Sequence, residues 1–471
     1  MIELSRPQIS FAEGLIEEEV GSLWEPWMRQ VDQVLLDQEL LHIVYDALAR
    51  RWPMSRTRGR PSTPADVVVR LLLLKHIRNW SYAILEREVR ANLVYRQFTR
   101  VGARRVPDAK TLGKLGVALG PEIIQKIHQR VVAIAQEKRI VQGRQLRVDT
   151  TVVETDIHYP TDSALLGDGV RVLTRTMRRI AQIVGAVGTR LRDRTRSVRH
   201  RVIEIARASR SRIPQGQERL KSGYAKLLLS TGRVVAQAKK FAQEVAAGLK
   251  RANGLLEQVS LEADRVYLQR MIPLVQQVMH QTRERIFKGN THVEGKLVSL
   301  FEPHTEIIRK GKAAKPTEFG KMIKIQEAEA QIIIDYEVYD ERPNDCDLLL
   351  PALSVHEQML GRTPRLVTAD AAFFSTENET VAHARGVKRI AIPNRSSKSI
   401  ERKALQRKRW FRNAQKWRTG CEGRISLLKR RHGLNRCRYK GQSGVKRWVG
   451  LGVIADNLIN IGRALERSAD G

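Results

Sequence analysis

The stretch RQLRVDTTVV, residues 144–153, decides how this chain is read. Its apolar and polar residues alternate, and it is rich in β-branched side chains, so it predicts a β-strand. It also carries one acid, Asp149. Ligand and catalytic sites of open α/β sheets form at strand ends. Asp149 is therefore a candidate site residue as well as a candidate turn or cap residue.

Upstream of this strand the pattern is helical. Residues 1–55 form an acidic lead-in, with 3 Lys/Arg and 10 Asp/Glu in the first 50 positions. Residues 56–135 read as a helical N-terminal domain of DNA-binding type, the expected place for recognition of DNA ends. Thr63 is the expected N-cap of one of its helices, with Pro64 at its first position and Asp66 in its first turn. Ser81 is the expected cap of the next, and a third begins after VPDAKTLGKL. Short helices with tight turns and basic flanks suit a helix-turn-helix unit or an ordinary helical bundle.

Downstream, beyond HYPTDSALLGDG (residues 158–169), the pattern becomes helical to about residue 288. The spacings Phe241, Val245, Leu249 and Leu255, Leu256, Val259 fit a period near 3.6. Many Arg and Lys lie between them. A solvated basic face accounts for these, and contact with a DNA backbone is not required by the pattern.

Strands are expected again at 296–302, 321–326 and 331–339, the last two as a hairpin. A helix over 346–360 follows, then a strand over 364–370 ending at Asp370, a helix over 375–386 and a strand over 388–393. The last element of this series is a long basic helix from about 411 to 432. Strand and helix alternate here, which makes the fold class α/β: a sheet covered by helices.

The charge distribution points to the partner. The chain has 471 residues, a formal net charge of +34 and a pI near 10.6. Residues 395–447 hold 19 Lys/Arg and only two acids, Glu401 and Glu422. Half the net charge thus lies in about a ninth of the chain. A protein this basic meets a polyanion, and nucleic acid is the first candidate. Three cysteines without zinc spacing suit a reducing compartment. The first residues show no signal-peptide pattern, and no apolar run spans a membrane. A soluble, cytoplasmic protein is expected.

Glu422 stands alone within that positive segment. A plain surface pair with a neighbouring base would explain it. With Asp149 and Asp370 it makes a third carboxylate. Three converging carboxylates repel one another and raise each other's pKa, and Mg²⁺ or Mn²⁺ would relieve the repulsion. Arg418 lies four residues before Glu422 and Lys429 seven after, so all three share one helix face within roughly 60°. A carboxylate aimed at metal, with cations beside it, suits phosphodiester chemistry, in which two metals about 4 Å apart clamp the attacking and leaving oxygens.

At these residues the sequence resembles the DDE transposases of bacterial insertion sequences. The resemblance rests on VDTTVVETDIHYPTDSALLGDGVRVLTR, IRKGKAAKPTEFGKMIKI, VTADAAFFSTENE and RTGCEGRISLLKRRHGLNR, in that order. The segment RGRPSTPADVVVRLLLLKHIRNWSYAILEREVRANLVYRQF resembles the helical domain that precedes the catalytic domain in many of them. The likeness covers roughly residues 55–460. It implies an RNase H-like mixed sheet with flanking helices over 140–164 and 291–465, and a large helical insertion over 165–290. Metal ligands would be Asp149, Asp370 and Glu422, holding two Mg²⁺ or Mn²⁺ ions. Arg418, Glu422 and Lys429 match the family's C-terminal signature, but its Tyr position is Gln415 here. The implied activity is cleavage of double-stranded DNA at the element's ends and transfer of the 3′-OH into target DNA. A homodimer or higher assembly would hold the ends together.

Neighbouring residues compete for these roles. Glu154, Asp156, Asp162 and Asp168 crowd the first motif, and Asp149 is preferred because its strand is clearest. His158 is expected to make local hydrogen bonds. Lys310, Lys312 and Lys315 are expected either to touch phosphate or to lie in a solvated loop. Two other function classes stand beside the transposase. RRHGLNRCRY, with His432 and Arg436, suggests a metal-free tyrosine recombinase. A catalytically silent DNA-binding protein would share the basic surface without the chemistry.

Overall fold

The computed structural model describes residues 3–5, 19–51, 54, 56–58, 62–210, 215–309 and 316–469. Its chain divides into two compact units: residues 1–156 with 308–471, and residues 157–307.

The first unit opens with helices α1 (Pro26–Val34), α2 (Gln38–Ala49), α3 (Ala65–Ile77), α4 (Tyr82–Ala91), α5 (Leu93–Phe98) and α6 (Ala109–Glu137). α3 is buried along its whole length. Its run VVVRLLLL is apolar all round, as a core helix must be. Even its Arg70 is buried, and its Nη1 donates to Asp32 at 2.6 Å and to the Phe98 carbonyl at 3.0 Å. A helix enclosed in this way cannot enter a DNA groove. α3 starts one residue later than expected: Pro64 is the N-cap and makes no side-chain cap bond. Ser81 caps α4, accepting from Ile84 N at 3.2 Å. α6 is kinked where Gly120, at φ +67°, precedes Pro121. Only glycine adopts that backbone without strain, and proline cannot continue the preceding turn.

The sheet contains β1 (Gln145–Glu154), β2 (Glu306–Arg309), β3 (Thr317–Glu327), β4 (Ile333–Val338), β5 (Leu366–Thr368) and β6 (Arg389–Ala391). Its order is β2-β3-β1-β5-β6, with β4 also paired to β3. β1 runs antiparallel to β3, with Asp149 opposite Ile325, and parallel to β5. β3 and β4 pair antiparallel, as the expected hairpin, and β5 and β6 pair parallel. This is a mixed sheet.

Helices α11 (Leu349–Leu360), α12 (Thr376–Ala384), α13 (Ile400–Arg407), α14 (Arg409–Arg431) and α15 (Gly441–Ala469) complete the unit. One continuous apolar core joins Val31, Leu71 and Val131 of the N-terminal helices to Leu146 and Val148 of β1 and Ile454 of α15. The other side of the sheet buries Val153, Ile323 and Ile325 against Leu428 of α14 and Trp448 of α15. Each such side chain is stabilised by about 1.5–3 kcal/mol on burial. β1 is therefore covered on both faces, which fixes its register.

The second unit is helical: α7 (Asp162–Val184), α8 (Thr195–Ala208), α9 (Gln215–Ala246) and α10 (Leu255–Phe287). α7 begins at the Thr161 cap, inside HYPTDSALLGDG and upstream of the expected start of the helical pattern, because Leu165, Leu166, Val170, Leu173 and Met177 recur at helical spacing and are buried. The expected stripe on α9 and α10 holds only in part. Phe241 and Val245 are core, whereas Leu249, Leu255, Leu256 and Val259 are exposed. The buried face of α10 is instead Leu261, Leu268, Met271 and Val275. No strand forms over 296–302; Val298 and Leu300 are buried there in irregular backbone.

Candidate active site

Asp149 lies midway along β1, its side chain only 14% exposed. The Thr150 N–H donates to its Oδ1 at 2.8 Å. Asp370 does not end β5 but follows it by two residues. There it caps a short 3₁₀ turn, Ala371–Phe373, accepting from Ala372 N at 2.7 Å. Glu422 projects from α14, 57% exposed, and pairs with Arg418 one turn earlier at 2.9 Å. Arg418 also faces Asp149, at 3.9 Å.

Asp149 feels the other two carboxylates. Asp149 is pushed up to about 6, first by burial and then by the charges of Asp370 and Glu422. The Thr150 N–H and Arg418 oppose this. Asp149 thus sits in a partly desolvated field of unbalanced negative charge, with one guanidinium as its nearby cation. Among the described residues no three acidic, His or Cys side chains are gathered closely enough to hold a metal ion as they stand. Glu422 is turned to Arg418 instead.

α14 is fastened at three places, two on the sheet and one on α15. Gln415 Nε2 donates to Thr368 Oγ1 at 3.2 Å and to the Ala391 carbonyl, so one side chain joins the helix to β5 and β6. Its Oε1 accepts from Arg418 Nε at 3.2 Å. Arg147 of β1 donates to the Trp417 carbonyl and lies over the Trp417 ring at 4.8 Å. Gly420 makes room for it, since a Cβ there would come within 2.4 Å of the Arg147 guanidinium. Arg147 is buried with its partner Glu327. Last, Arg424 is buried against Asp456 of α15 at 3.0 Å. These anchors leave the Glu422 side of the helix to solvent. Lys429, half-buried, follows Glu422 by two turns on the same face.

The competing residues fall elsewhere. Asp156 pairs with Arg436 at 3.2 Å. Within the helical unit, Asp162 pairs with Arg285 and Asp168 with Arg171, each at 2.6 Å, while His158 lies 3.6 Å from Asp168. Lys310, Lys312 and Lys315 lie outside the described residues. The recombinase reading loses its geometry: His432 is buried beside Asp456 at 3.6 Å. Tyr439 is enclosed, its hydroxyl 2.8 Å from that of Tyr82. His432 cannot reach a DNA strand, and the Tyr439 hydroxyl is turned to Tyr82. All three cysteines are free thiols, and burial pushes Cys421 well above the usual thiol range. No described helix is long and apolar enough to cross a membrane.

Sequence reasoning missed the anchoring by Gln415, Arg147 and Arg424. The first had a signal, because Gln415 stands where the resembled signature has Tyr. The other two needed the pairing of β1 with β3 and the packing of α14 on α15.

Comparison with known proteins gives two matches. Residues 25–115 match the family described as Transposase domain (DUF772), and residues 379–461 match the family described as Transposase DDE domain. The second segment contains Arg418, Glu422 and Lys429; Asp149 and Asp370 lie outside both. No curated protein and no solved structure gave a significant match. The two family matches together support a DDE transposase of an insertion-sequence family.

Proposed function

We propose that this chain, which carries a transposase domain and a DDE transposase domain, cuts double-stranded DNA at the ends of an insertion sequence. It then joins the freed 3′-OH to target DNA. The observation that carries this reading is the meeting of three carboxylate fields at Asp149, beside a helix dense in Lys and Arg. The mixed sheet, antiparallel on the β3 side of β1 and parallel on the β5 side, supports an RNase H-like catalytic domain.

Asp149, Asp370 and Glu422 are the proposed ligands of Mg²⁺ or Mn²⁺, with two ions as the working number. The donor set fits: all three offer hard oxygen ligands, and the resisted ionisation of Asp149 marks charge that a cation would balance. Such ions, when bound, activate the attacking oxygen and stabilise the leaving one.

The remaining work falls to the protein. Arg418 holds Glu422 and faces Asp149, so it keeps two of the carboxylates close in spite of their repulsion. If Glu422 held a cation, the guanidinium fork of Arg418 would be available for a phosphate oxygen. Lys429, on the same face, adds a point charge for the backbone. Gln415, tied to β5 and β6, holds the start of this helix against the strand that leads to Asp370. In the resembled signature a Tyr stands here; in this chain the position anchors the helix and orients Arg418. Positioning of this kind is worth much, because a misplacement of about 1 Å can cost 10²-fold in rate. Synapsis of two ends calls for a homodimer or larger assembly.

The test is cleavage of labelled duplex carrying the element's own ends, with Mg²⁺, with Mn²⁺ and with EDTA. Metal-dependent cutting that leaves a 3′-OH, followed by joining to a plasmid target, supports the proposal. Cutting that persists in EDTA overturns it. Metal-independent DNA binding without any cutting would favour the catalytically silent reading.

A further inference from the structure

The helical unit contains a second concentration of charge, separate in sequence from the basic segment of α14. Residues 185–200 hold five arginines and one acid, Asp193. In RLRDRTR, residues 190–196, arginine recurs at every second position.

A mobile, solvated loop would be the ordinary reading of such a run, but this loop is held at several points. Glu244 of α9 accepts from Thr189 N at 3.1 Å and pairs with Lys250 at 3.3 Å. Lys250 in turn donates to the Val187 carbonyl. Gln237 donates to the Arg190 carbonyl at 2.6 Å. The single acid is already engaged: Asp193 pairs with Arg178 and accepts from Thr195 N at 2.8 Å, at the start of α8.

That arrangement leaves the guanidiniums without compensation. Among the described residues Arg190, Arg192, Arg194, Arg196 and Arg233 pair with no carboxylate. All are exposed except Arg194, which is half-buried. Arg194 feels the crowding, since burial and the charges of Arg192 and Arg233 lower its pKa. A cluster of like charges on a tethered loop raises the free energy of the unbound protein, and an anion that spans them removes the penalty. Guanidiniums without carboxylate partners suit phosphate oxygens, which they contact in a forked geometry.

We infer that the loop 190–196, together with Arg233 of α9, is a backbone-contacting site for duplex DNA. The inference rests on the DNA reading given above and adds a location to it. Contacts of this kind bind without reading sequence and position the duplex.

The test uses the full chain and a labelled 30-bp duplex of random sequence, with affinity measured by anisotropy over a range of KCl concentrations. The triple variant Arg192→Ala/Arg194→Ala/Arg196→Ala is compared with wild type and with the triple Lys variant at the same positions. Each phosphate contact contributes about 0.9 to the slope of log affinity against log salt. The alanine variant is therefore expected to lose about 2 to 3 of that slope, and the lysine variant to keep most of it. Phenylglyoxal labelling of the wild-type protein gives a readout that needs no variant: DNA is expected to shield Arg192, Arg194 and Arg196. An unchanged slope in the alanine variant, or equal labelling with and without DNA, overturns the site. Wild-type protein that fails to bind the duplex at any salt would instead overturn the DNA reading itself.

Discussion

Gln415 on α14 donates a hydrogen bond to Thr368 on β5 at 3.2 Å, and so fastens the helix that bears Glu422 to the strand that leads to Asp370. Two of the three candidate ligands therefore share a mechanical connection. The same side chain accepts from Arg418, and Arg418 faces both Glu422 and Asp149.

Gln415→Ala removes that connection. A net hydrogen bond is worth roughly 1 kcal/mol, so unfolding in urea is expected to show a loss of about 1–2 kcal/mol. Cleavage is expected to fall about 10-fold or more at saturating DNA, with DNA affinity unchanged. A stability loss with no loss of cleavage rate would show that Gln415 supports the fold and not the site.

Arg424 tests the other anchor of α14. It is buried with Asp456, whose oxygens lie 3.0 and 3.1 Å from Nη1. Arg424→Ala leaves a buried carboxylate short of its cation, which costs about 3–5 kcal/mol. The double variant Arg424→Met/Asp456→Leu is expected to recover most of that loss. Chemical denaturation of the three proteins checks it, and similar stability of the single and double variants would contradict it.

Asp149 makes metal-free stability depend on pH. Its pKa in the folded protein is raised from 3.8 to about 6. The folded state therefore holds a proton that the unfolded state has already released. Stability from this group is complete below about pH 4 and is lost as pH rises through 6, to an upper bound of about 3 kcal/mol. Asp149→Asn removes the titration. In EDTA its Tm relative to wild type is expected to be higher at pH 7 than at pH 4. A constant difference across that range would show that Asp149 ionises without hindrance.

Much of this architecture was legible in the sequence because periodicity reports burial. β1, β3 and β4 stood out through β-branched runs, α3 through an apolar run with a turn before it, and α14 through its length and charge. The failures have physical causes. Val298 and Leu300 mimic a strand, but both are buried from irregular backbone, and Leu300 fills the helical core. The helical pattern is expected only beyond DSALLGDG, yet Leu165 and Leu166 already lie on the buried face of α7. Leu249, Leu255, Leu256 and Val259 keep helical spacing on a surface that nothing in the unit covers.

The site was legible in part for the same reason. Glu422, Arg418 and Lys429 lie on one helix and are related by simple periodicity. Asp149 belongs to β1 and Asp370 follows β5 by two residues, and only the parallel pairing of β1 with β5 brings those strands side by side. The buried anchors Arg147–Glu327 and Arg424–Asp456 join residues far apart in sequence. Buried Lys75, ringed by Tyr82, Tyr439 and Trp448 at 4.6–4.9 Å, was equally hidden within an apolar run.

The most direct measurement of the central claim compares wild type with Glu422→Gln in the cleavage of duplex carrying the element's ends, with Mg²⁺ and at DNA concentrations that saturate both proteins. Gln keeps the size and the hydrogen bonding of the side chain and removes its charge. If Glu422 is a metal ligand, the variant binds DNA as wild type does and does not cut. Cutting at the wild-type rate would mean that Glu422 serves only as the surface partner of Arg418, and the proposed metal site would fall.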